Sequence, residues 1–279
     1  MPTARPIPRH RLAPIGIVAL FLFFLLFLSR PALANADVPY LPTHHDAVHR
    51  MLEMADAGPG DRVFDLGSGD GRIVIQAVRD WDVAEATGIE LDPALIQQAE
   101  QAARKAGVER RTRFLQADLF TSDFSDATIV TMYLLESLNL RLKPILLDAL
   151  KPGTRLVSHV FRMGDWAPGA TVVARGIPSH LWIVPAKVDG LWHIEIENGQ
   201  TFTVNLEQHF QDIDGSYVKD GIDMGLSFAA LRGSEIRFSA HGMHFIGDVQ
   251  GDTIHALPGR GTVPAWSAAR LEAGKPSRP

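Results

Sequence analysis

The stretch at residues 65–72, which reads Asp-Leu-Gly-Ser-Gly-Asp-Gly-Arg, constrains the fold more than any other part of the chain. A short apolar run at residues 62–66 leads into it, and residues 72–80 have the pattern of a buried helix. Glycines at this spacing allow a ligand to approach the backbone closely, and a helix start offers N–H groups without partners. The stretch therefore predicts a ligand-binding turn between a buried strand and a helix.

The alternation of strand and helix patterns continues beyond this turn. Asp92 and Pro93 form a helix-start signal, and Gly107 marks the predicted end of the same helix. Strands separated by helices predict right-handed crossovers and an α/β fold, a Rossmann-like, mostly parallel sheet with helices on both faces. The predicted strands are residues 62–66, 84–90, 112–116, 127–133 and 155–161, and the predicted helices are 72–80, 92–105 and 138–150.

The sequence pattern changes after about residue 188. Short alternating runs separated by glycines predict a small antiparallel β domain, either a barrel or a sandwich, over residues 188–270. Its aromatic residues at alternate strand positions favour a core, with a binding cavity as the alternative, and the domain could recruit a substrate or dimerise the protein. Residues 271–279 are expected to fray. Those aromatic residues are Trp192, Phe202, Phe210, Phe228, Phe238, Phe245 and Trp266.

The first 36 residues have the layout of a targeting segment. Three arginines precede the apolar run at residues 14–28, and Ala-Asn-Ala at residues 34–36 is a small-x-small cleavage pattern. We predict a signal peptide or, over residues 12–33, a membrane anchor. A cleaved signal peptide would make the protein exported (periplasmic), and an uncleaved segment would make it membrane-anchored. The alternative is an anchor that leaves the domain facing the cytoplasm. The α/β domain would then span residues 37–187.

Charge and composition exclude several function classes. The net charge is −5, and residues 37–279 alone carry 23 basic and 32 acidic residues. A generally basic nucleic-acid binder is therefore excluded, and we expect no nucleic-acid partner. The absence of cysteine excludes disulfides, thiolate metal sites and a cysteine nucleophile. Histidines lie close together at residues 44–49 and 241–244, but no carboxylate group completes a metal site, so we expect solvated or capping roles and no metal.

Acidic residues follow three successive predicted strands. Asp65 and Asp70 flank glycines spaced G-x-G-x-G, whereas a dinucleotide fingerprint is G-x-G-x-x-G. These carboxylates would repel a pyrophosphate and attract a ligand with an ammonium and a sulfonium group, such as S-adenosylmethionine. Glu90 is placed to accept hydrogen bonds from ribose hydroxyls, and Asp118 from an adenine amine.

These residues resemble the class I S-adenosylmethionine-dependent methyltransferases over residues 60–185. The motifs at residues 38–43, 65–72, 151–158 and 164–166 are similar to those of the lysine methyltransferases that modify the mitochondrial ATP synthase c-ring protein and the adenine nucleotide translocase, and of their bacterial relatives. The resemblance implies that Asp65, Gly67 and Gly69 hold the methionine part and that residues 38–43 close over the cofactor. The candidate cofactor-binding residues are Tyr40, Thr43, Asp65, Gly67, Ser68, Gly69, Asp70, Gly71, Glu90 and Asp118.

Methyl transfer requires a positioned, desolvated nucleophile, and a lysine nucleophile must also be neutral. Tyr133, Glu136 and Asp165 are the catalytic candidates, although Glu136 could cap a helix and Tyr133 could pack within the sheet. The sequence departs from the relatives at Glu136, where they have proline, and at residues 159–162, where acids would flank the phenylalanine. By resemblance we expect methyl transfer to a protein lysine, with a small-molecule acceptor or a non-catalytic exported binding protein as alternatives.

Overall fold

The computed structural model describes residues 41–174, 176–263 and 265–271. The predicted targeting segment, Tyr40 and the tail from residue 272 lie outside these ranges. Within them, no helix has the length and apolar character needed to cross a membrane. The elements of the first sheet and its helices are α1 His45–Met54, β1 Arg62–Leu66, α2 Arg72–Trp81, β2 Glu85–Glu90, α3 Pro93–Ala106, β3 Thr112–Gln116, β4 Ile129–Met132, α4 Glu136–Ala149, β5 Arg155–His159, β6 Ala170–Ala174 and β7 Ile177–Ile183.

The first sheet has seven strands in the order β3-β2-β1-β4-β5-β7-β6. Strands β1 to β5 are parallel, and β7 pairs antiparallel with β5 and with β6. Helices α1, α2 and α3 contribute to the apolar cluster on one face, and α4 packs into the cluster on the other. This is the predicted α/β class, and the order of strands brings the carboxyl ends of β1, β2 and β4 together.

Local sequence signals set several of the element boundaries. Asp92 caps α3 by accepting a hydrogen bond from the Ala94 N–H, and Pro93 occupies the first turn. The helix ends at Gly107, whose φ of 72° is left-handed. These boundaries agree with the prediction because capping depends on residues that are adjacent in the sequence.

Strand β5 is shorter than predicted. It ends at His159 because Val160 adopts a φ of 69°, which a strand cannot contain. Helix α1 and strands β6 and β7 were not predicted. All five residues of β6 are exposed or half-buried, so its sequence lacks the alternation that identifies a strand.

The second sheet consists of nine antiparallel strands in the order β11-β10-β9-β8-β16-β15-β14-β13-β12. Only Leu226 separates β11 from β12, and its N–H donates to the carbonyl of Gly215 at 2.8 Å. The two edge strands of the sheet are therefore consecutive in the chain, and the sheet curls into a nearly closed barrel. The strands are β8 Gly190–Ile196, β9 Thr201–His209, β10 Asp212–Lys219, β11 Ile222–Gly225, β12 Ser227–Arg232, β13 Glu235–Ala240, β14 Met243–Gln250, β15 Thr253–Ala256 and β16 Trp266–Arg270.

Aromatic side chains fill the barrel, as predicted for most of them. Phe238 stacks on Phe245 at 5.0 Å, and Trp266 meets both rings edge-on. Phe228 departs from the prediction, because its side chain is 81% exposed. Phe210 also departs, because it packs into the apolar cluster of the first sheet. The barrel interior is therefore a packed core rather than the alternative binding cavity at these rings.

Candidate functional site

The acidic residues predicted from the sequence meet at one edge of the first sheet. Asp65 lies near the end of β1 and Glu90 ends β2, while Asp118 follows β3 by two residues. Because these three parallel strands are neighbours, their carboxyl ends share an edge, where open α/β sheets bind ligands. The predicted cofactor residues are thus placed side by side.

The glycine-rich turn forms a cradle over this edge, defined here as residues 67–71. Its three glycines have positive φ values of 80°, 53° and 77°. A Cβ at Gly71 would lie 2.5 Å from the Phe114 ring, and one at Gly67 would lie 3.0 Å from Leu134. The backbone conformation favours glycine at all three positions, and neighbouring side chains leave no room for a Cβ at Gly71 and little room at Gly67.

Glu90 anchors the cradle. Its Oε2 accepts a hydrogen bond from the Gly69 N–H at 3.0 Å, and its Oε1 accepts from the N–H groups of Leu91 at 2.7 Å and Asp92 at 3.0 Å. These backbone donors fix the orientation of a half-buried carboxylate. The remaining accepting capacity of its oxygens is available to hydroxyl donors of a ligand.

Asp65 is buried beneath the cradle. Its Oδ1 accepts a hydrogen bond from Thr131 Oγ1 at 2.8 Å, across the pairing of β1 with β4. Burial raises the pKa of Asp65 to about 7, the Thr131 hydrogen bond opposes the rise, and the charges of Glu90 and Asp70 add to it. A cationic group beside Asp65 would stabilise its ionised form. The sequence analysis did not select Thr131, which the register of β1 against β4 places opposite Asp65.

Arg72 ties the cradle to the chain that precedes α1. It pairs with Asp70, with Nη2 to Oδ2 at 2.6 Å, and donates from Nη1 to the carbonyl of Thr43 at 2.7 Å. Thr43 is buried. The predicted cofactor residues Thr43 and Asp70 are therefore joined through Arg72, a residue that the sequence analysis did not select.

The remaining groups at this edge fit a cofactor with an ammonium group, hydroxyls and an amine. Ser68 Oγ is buried and has no hydrogen-bond partner among the described residues. It lies 2.5 Å from the position of a Cβ on Gly88, so only glycine fits opposite it. Asp118 is exposed, and its Oδ1 accepts from the Phe120 N–H at 2.9 Å. An orphaned buried hydroxyl, a glycine cradle and three carboxylates match the donors and charge of S-adenosylmethionine.

Aromatic side chains lie next to this edge at the ends of β4 and β5. The Tyr133 ring meets the His159 ring edge-on at 4.7 Å and the Phe161 ring at 6.3 Å with an interplanar angle of 26°. Tyr133 and Phe161 are half-buried and His159 is buried. We name Tyr133, His159 and Phe161 the aromatic wall. The sequence analysis noted the unusual sequence at residues 159–162 but assigned His159 and Phe161 no role.

A tight turn at Val160 builds the aromatic wall. The Phe161 N–H donates to the His159 carbonyl at 2.9 Å, which makes a γ-turn centred on Val160 at a φ of 69°. A β-branched residue is strained there. The Val160 N–H donates to the Pro178 carbonyl at 2.9 Å, and the Val160 carbonyl lies 3.2 Å from His180 Nε2. Contacts from β7 thus hold the turn.

Burial keeps two histidines neutral, one in the aromatic wall and one next to it. The pKa values of His159 and His180 are both lowered, in each case chiefly by desolvation. His159 Nδ1 lies 3.2 Å from Ser179 Oγ, and His180 Nδ1 lies 2.9 Å from Thr171 Oγ1. The wall therefore carries no imidazolium charge near neutral pH.

The three catalytic candidates occupy different positions. Tyr133 belongs to the aromatic wall. Glu136 is exposed and begins α4, but its side chain does not cap that helix, whose N-cap residue is Leu135. Asp165 pairs with Lys143, and that hydrogen bond lowers the pKa of Asp165. The structure thus places Asp165, whose own side chain is exposed, in an ion pair with a residue of α4.

The histidine groups show capping and packing contacts. His44 caps α1, with Nδ1 accepting from the Asp46 N–H at 3.2 Å. His241 packs against the rings of Phe202 and Tyr217 at 4.7 and 4.5 Å. Within the described part of the chain, no group of three or more possible ligands could hold a metal ion.

Comparisons with known proteins agree with this geometry. A family model described as the ANTKMT methyltransferase domain matches residues 65–170, which include the cradle, Glu90 and the aromatic wall. A protein-lysine N-methyltransferase from Saccharolobus islandicus is 47% identical over 131 residues, which are 47% of this chain and 81% of that protein. The adenine nucleotide translocase lysine N-methyltransferase of Mus musculus is 35% identical over 136 residues, 49% of this chain and 58% of the relative.

A solved structure is similar as well. A crystal structure from Salinibacter ruber, described as an RNA methyltransferase in complex with S-adenosyl-L-homocysteine, is 49% identical with a TM-score of 0.52. The match covers 53% of this chain and 96% of that one. The Saccharolobus relative is matched over 81% of its own length, and the family model covers the cradle and the aromatic wall. This chain therefore belongs to the ANTKMT methyltransferase family and is an S-adenosylmethionine-dependent methyltransferase.

Proposed function

We propose that the protein transfers a methyl group from S-adenosylmethionine to the side-chain amine of a lysine in a protein acceptor. The observation that carries the proposal is the aromatic wall beside the cofactor edge. Alkylammonium groups bind the faces of aromatic rings, and Tyr133 and Phe161 each leave part of a ring accessible. The relatives from Saccharolobus and Mus musculus, both named as lysine methyltransferases, support the same acceptor class.

Each part of the site has a role in this reaction. Asp65 and the cradle N–H groups hold the amino acid part of the cofactor, Ser68 Oγ offers it a further hydrogen-bond partner, Glu90 accepts from the ribose and Asp118 from the adenine. When bound, the cofactor supplies an activated methyl group on its sulfonium, to which the acceptor nitrogen forms a bond as the carbon–sulfur bond breaks. Tyr133 and Phe161 orient the amine and exclude water from it. Glu136, exposed at the start of α4, is the carboxylate that can take the amine proton to solvent.

An RNA acceptor is the competing possibility, because the similar Salinibacter structure is described as an RNA methyltransferase. The charge of this chain argues against it. Residues 37–279 hold nine more acidic than basic residues, and a polyanion acceptor gains affinity from an excess of basic ones.

The test uses the full-length protein, S-adenosylmethionine with a tritiated methyl group, and separate protein and RNA fractions from the source cells. We expect label in a protein, with mass spectrometry locating the added methyl group on lysine. Tyr133→Leu should abolish labelling while leaving S-adenosylhomocysteine affinity within about twofold of wild type, because the role proposed for Tyr133 concerns the acceptor and not the cofactor. Label confined to the RNA fraction, or to a residue other than lysine, would contradict the proposal.

We further propose that the apolar amino-terminal run exports the protein or anchors it to the membrane. The support is the run at residues 14–28 with its preceding arginines. A reporter enzyme that is active only outside the cytoplasm, fused to the carboxyl terminus, should be active in cells. Activity of a cytoplasmic reporter in the same position would instead indicate the cytoplasm-facing anchor.

A further inference from the structure

The turn between β9 and β10 connects the barrel to the segment that follows the aromatic wall. The Phe210 ring at this turn stacks on Trp166 with centroids 5.4 Å apart and an interplanar angle of 17°. Trp166 is only 1% exposed, so this contact lies within the apolar cluster of the first sheet. Phe210 reaches it with a left-handed φ of 56°, which is uncommon for a phenylalanine.

Hydrogen bonds fix the same contact. Trp166 Nε1 donates to Gln211 Oε1 at 2.7 Å, and Gln211 Nε2 donates to the carbonyl of Ala167 at 3.3 Å. On the opposite side, Trp182 Nε1 of β7 donates to the carbonyl of Trp166 at 2.8 Å. Gln211 of the barrel therefore provides hydrogen-bond partners for both the Trp166 side chain and the backbone of the next residue.

Charged groups surround this contact. Lys143 of α4 pairs with Asp165, and its Nζ lies 5.2 Å from the centre of the Phe210 ring. His209 Nε2 lies 3.9 Å from Asp165 Oδ2. The His209–Asp165 pair is exposed and contributes little to stability, whereas the Lys143 side chain is largely buried against the contact.

Residues 161–167 thus have supports at both ends. The γ-turn at Val160 fixes the first residue, Phe161, and the barrel fixes Trp166 and Ala167. Between them, Asn139 Nδ2 donates to the carbonyl of Arg162 at 3.3 Å. A segment held in this way presents Phe161 to Tyr133 in one position.

We propose that Phe210 and Gln211 of the barrel are positioning residues for the methyl acceptor, acting through Trp166 on Phe161. The inference rests on the proposed amine acceptor and adds a role for the barrel, which begins at Gly190, beyond the family match at residues 65–170. The barrel then completes the acceptor side of the site without touching the cofactor side.

The test measures binding of a two-part probe to the full-length protein. The probe is an S-adenosylhomocysteine analogue whose sulfur is replaced by a nitrogen that carries an aminoethyl chain, so that its amine lies just beyond the position of the transferred methyl group. The affinity ratio of this probe to S-adenosylhomocysteine, measured by calorimetry, reports the contribution of the amine chain alone. A second readout is hydrogen exchange of residues 161–167, compared with that of the cradle.

Phe210→Ala and Gln211→Ala should each lower this ratio by about tenfold and speed exchange in residues 161–167, because Phe161 loses its fixed position. S-adenosylhomocysteine affinity and exchange in the cradle should stay as in wild type. Phe210→Tyr keeps the ring and should restore the ratio. Phe228→Ala is the matched control, since Phe228 also has a positive φ of 54° but is 81% exposed on the barrel surface.

The outcomes separate the two proposals. An unchanged ratio in folded Phe210→Ala and Gln211→Ala would overturn the positioning role, even if exchange increases. If the wild-type protein binds S-adenosylhomocysteine but binds the aminoethyl probe no more tightly, the proposed amine acceptor is wrong and this inference falls with it. Thermal unfolding identifies any variant that has lost its fold. If Phe210→Ala does not fold, Gln211→Ala still tests the positioning role.

Discussion

The seven-stranded sheet buries polar groups at its carboxyl edge, whereas the barrel buries mainly aromatic and aliphatic ones. Asp65 and Ser68 are almost fully inaccessible in the first, and Phe238 and Phe245 in the second. Burying a carboxylate lowers the free energy of unfolding, whereas burying a phenyl ring raises it. The difference shows that the carboxyl edge of the first sheet is less stable because its buried polar groups serve binding. The barrel contributes stability and a rigid support for the first sheet.

The barrel core should show the largest effect on stability. Phe245→Ala is expected to lower the free energy of unfolding by about 3–5 kcal/mol, because it leaves a cavity between Phe238 and Trp266. Chemical denaturation measures the loss. Phe228→Ala should change it by less than about 1 kcal/mol, since that ring is exposed. Equal losses in the two variants would show that the barrel has no dominant core.

Asp65 should show the opposite behaviour. Asp65→Asn is expected to weaken S-adenosylmethionine binding about 100-fold, because a buried charge partner of the cofactor is lost. The same change should stabilise the cofactor-free protein at pH 8, where the wild-type carboxylate is ionised and buried. Calorimetric titration and denaturation measure the two effects. Asp123→Asn, at an exposed turn, is the control and should alter neither.

Substituting two glycines that have similar backbone angles distinguishes the cost of backbone strain from the cost of crowding by neighbouring side chains. Gly71 has a φ of 77° and faces the Phe114 ring, whereas Gly107 has a φ of 72° and open space. Gly107→Ala should cost about 1–2 kcal/mol of stability. Gly71→Ala should cost about 1–3 kcal/mol more and should also weaken cofactor binding. Losses of the same size would mean that Phe114 moves aside without penalty.

The smallest effect concerns pH. The pKa of Asp65 is about 7 in the cofactor-free protein, against 3.8 for an ordinary aspartate, so between about pH 4 and 7 the folded state binds a proton here that the unfolded state does not. Stability from this group therefore falls as the pH rises from about 4 to 7. A cationic cofactor favours the ionised form, so its affinity should fall at most tenfold from pH 7 to 6, with a proton released on binding. Binding heats that do not vary with buffer ionisation enthalpy would contradict this.

The sequence predicted those features that depend on neighbouring residues. The cap at Asp92, the helix end at Gly107 and the cradle from Gly67 to Gly71 are local signals. The tie from Arg72 to Thr43 and the hydrogen bond from Thr131 to Asp65 join residues 29 and 66 positions apart, so no local pattern reveals them.

Strand β11 of the barrel is hard to predict from the sequence for a related reason. Strand β11 has four residues that are all exposed, so its sequence shows no alternation between a core face and a solvent face. The position of Phe210 also could not be read from the chain. Its contact with Trp166 spans 44 positions and joins the two sheets.

The pairing of β8 with β16 has a consequence for the order in which the protein folds during synthesis. The first and last strands of the barrel are hydrogen-bonded neighbours, so the ring stays open until residues 266–270 have left the ribosome. The first sheet is complete once β7 ends at Ile183, more than 80 residues earlier. We therefore expect the cofactor edge to form on the nascent chain, while the barrel closes only after the carboxyl-terminal strand is released.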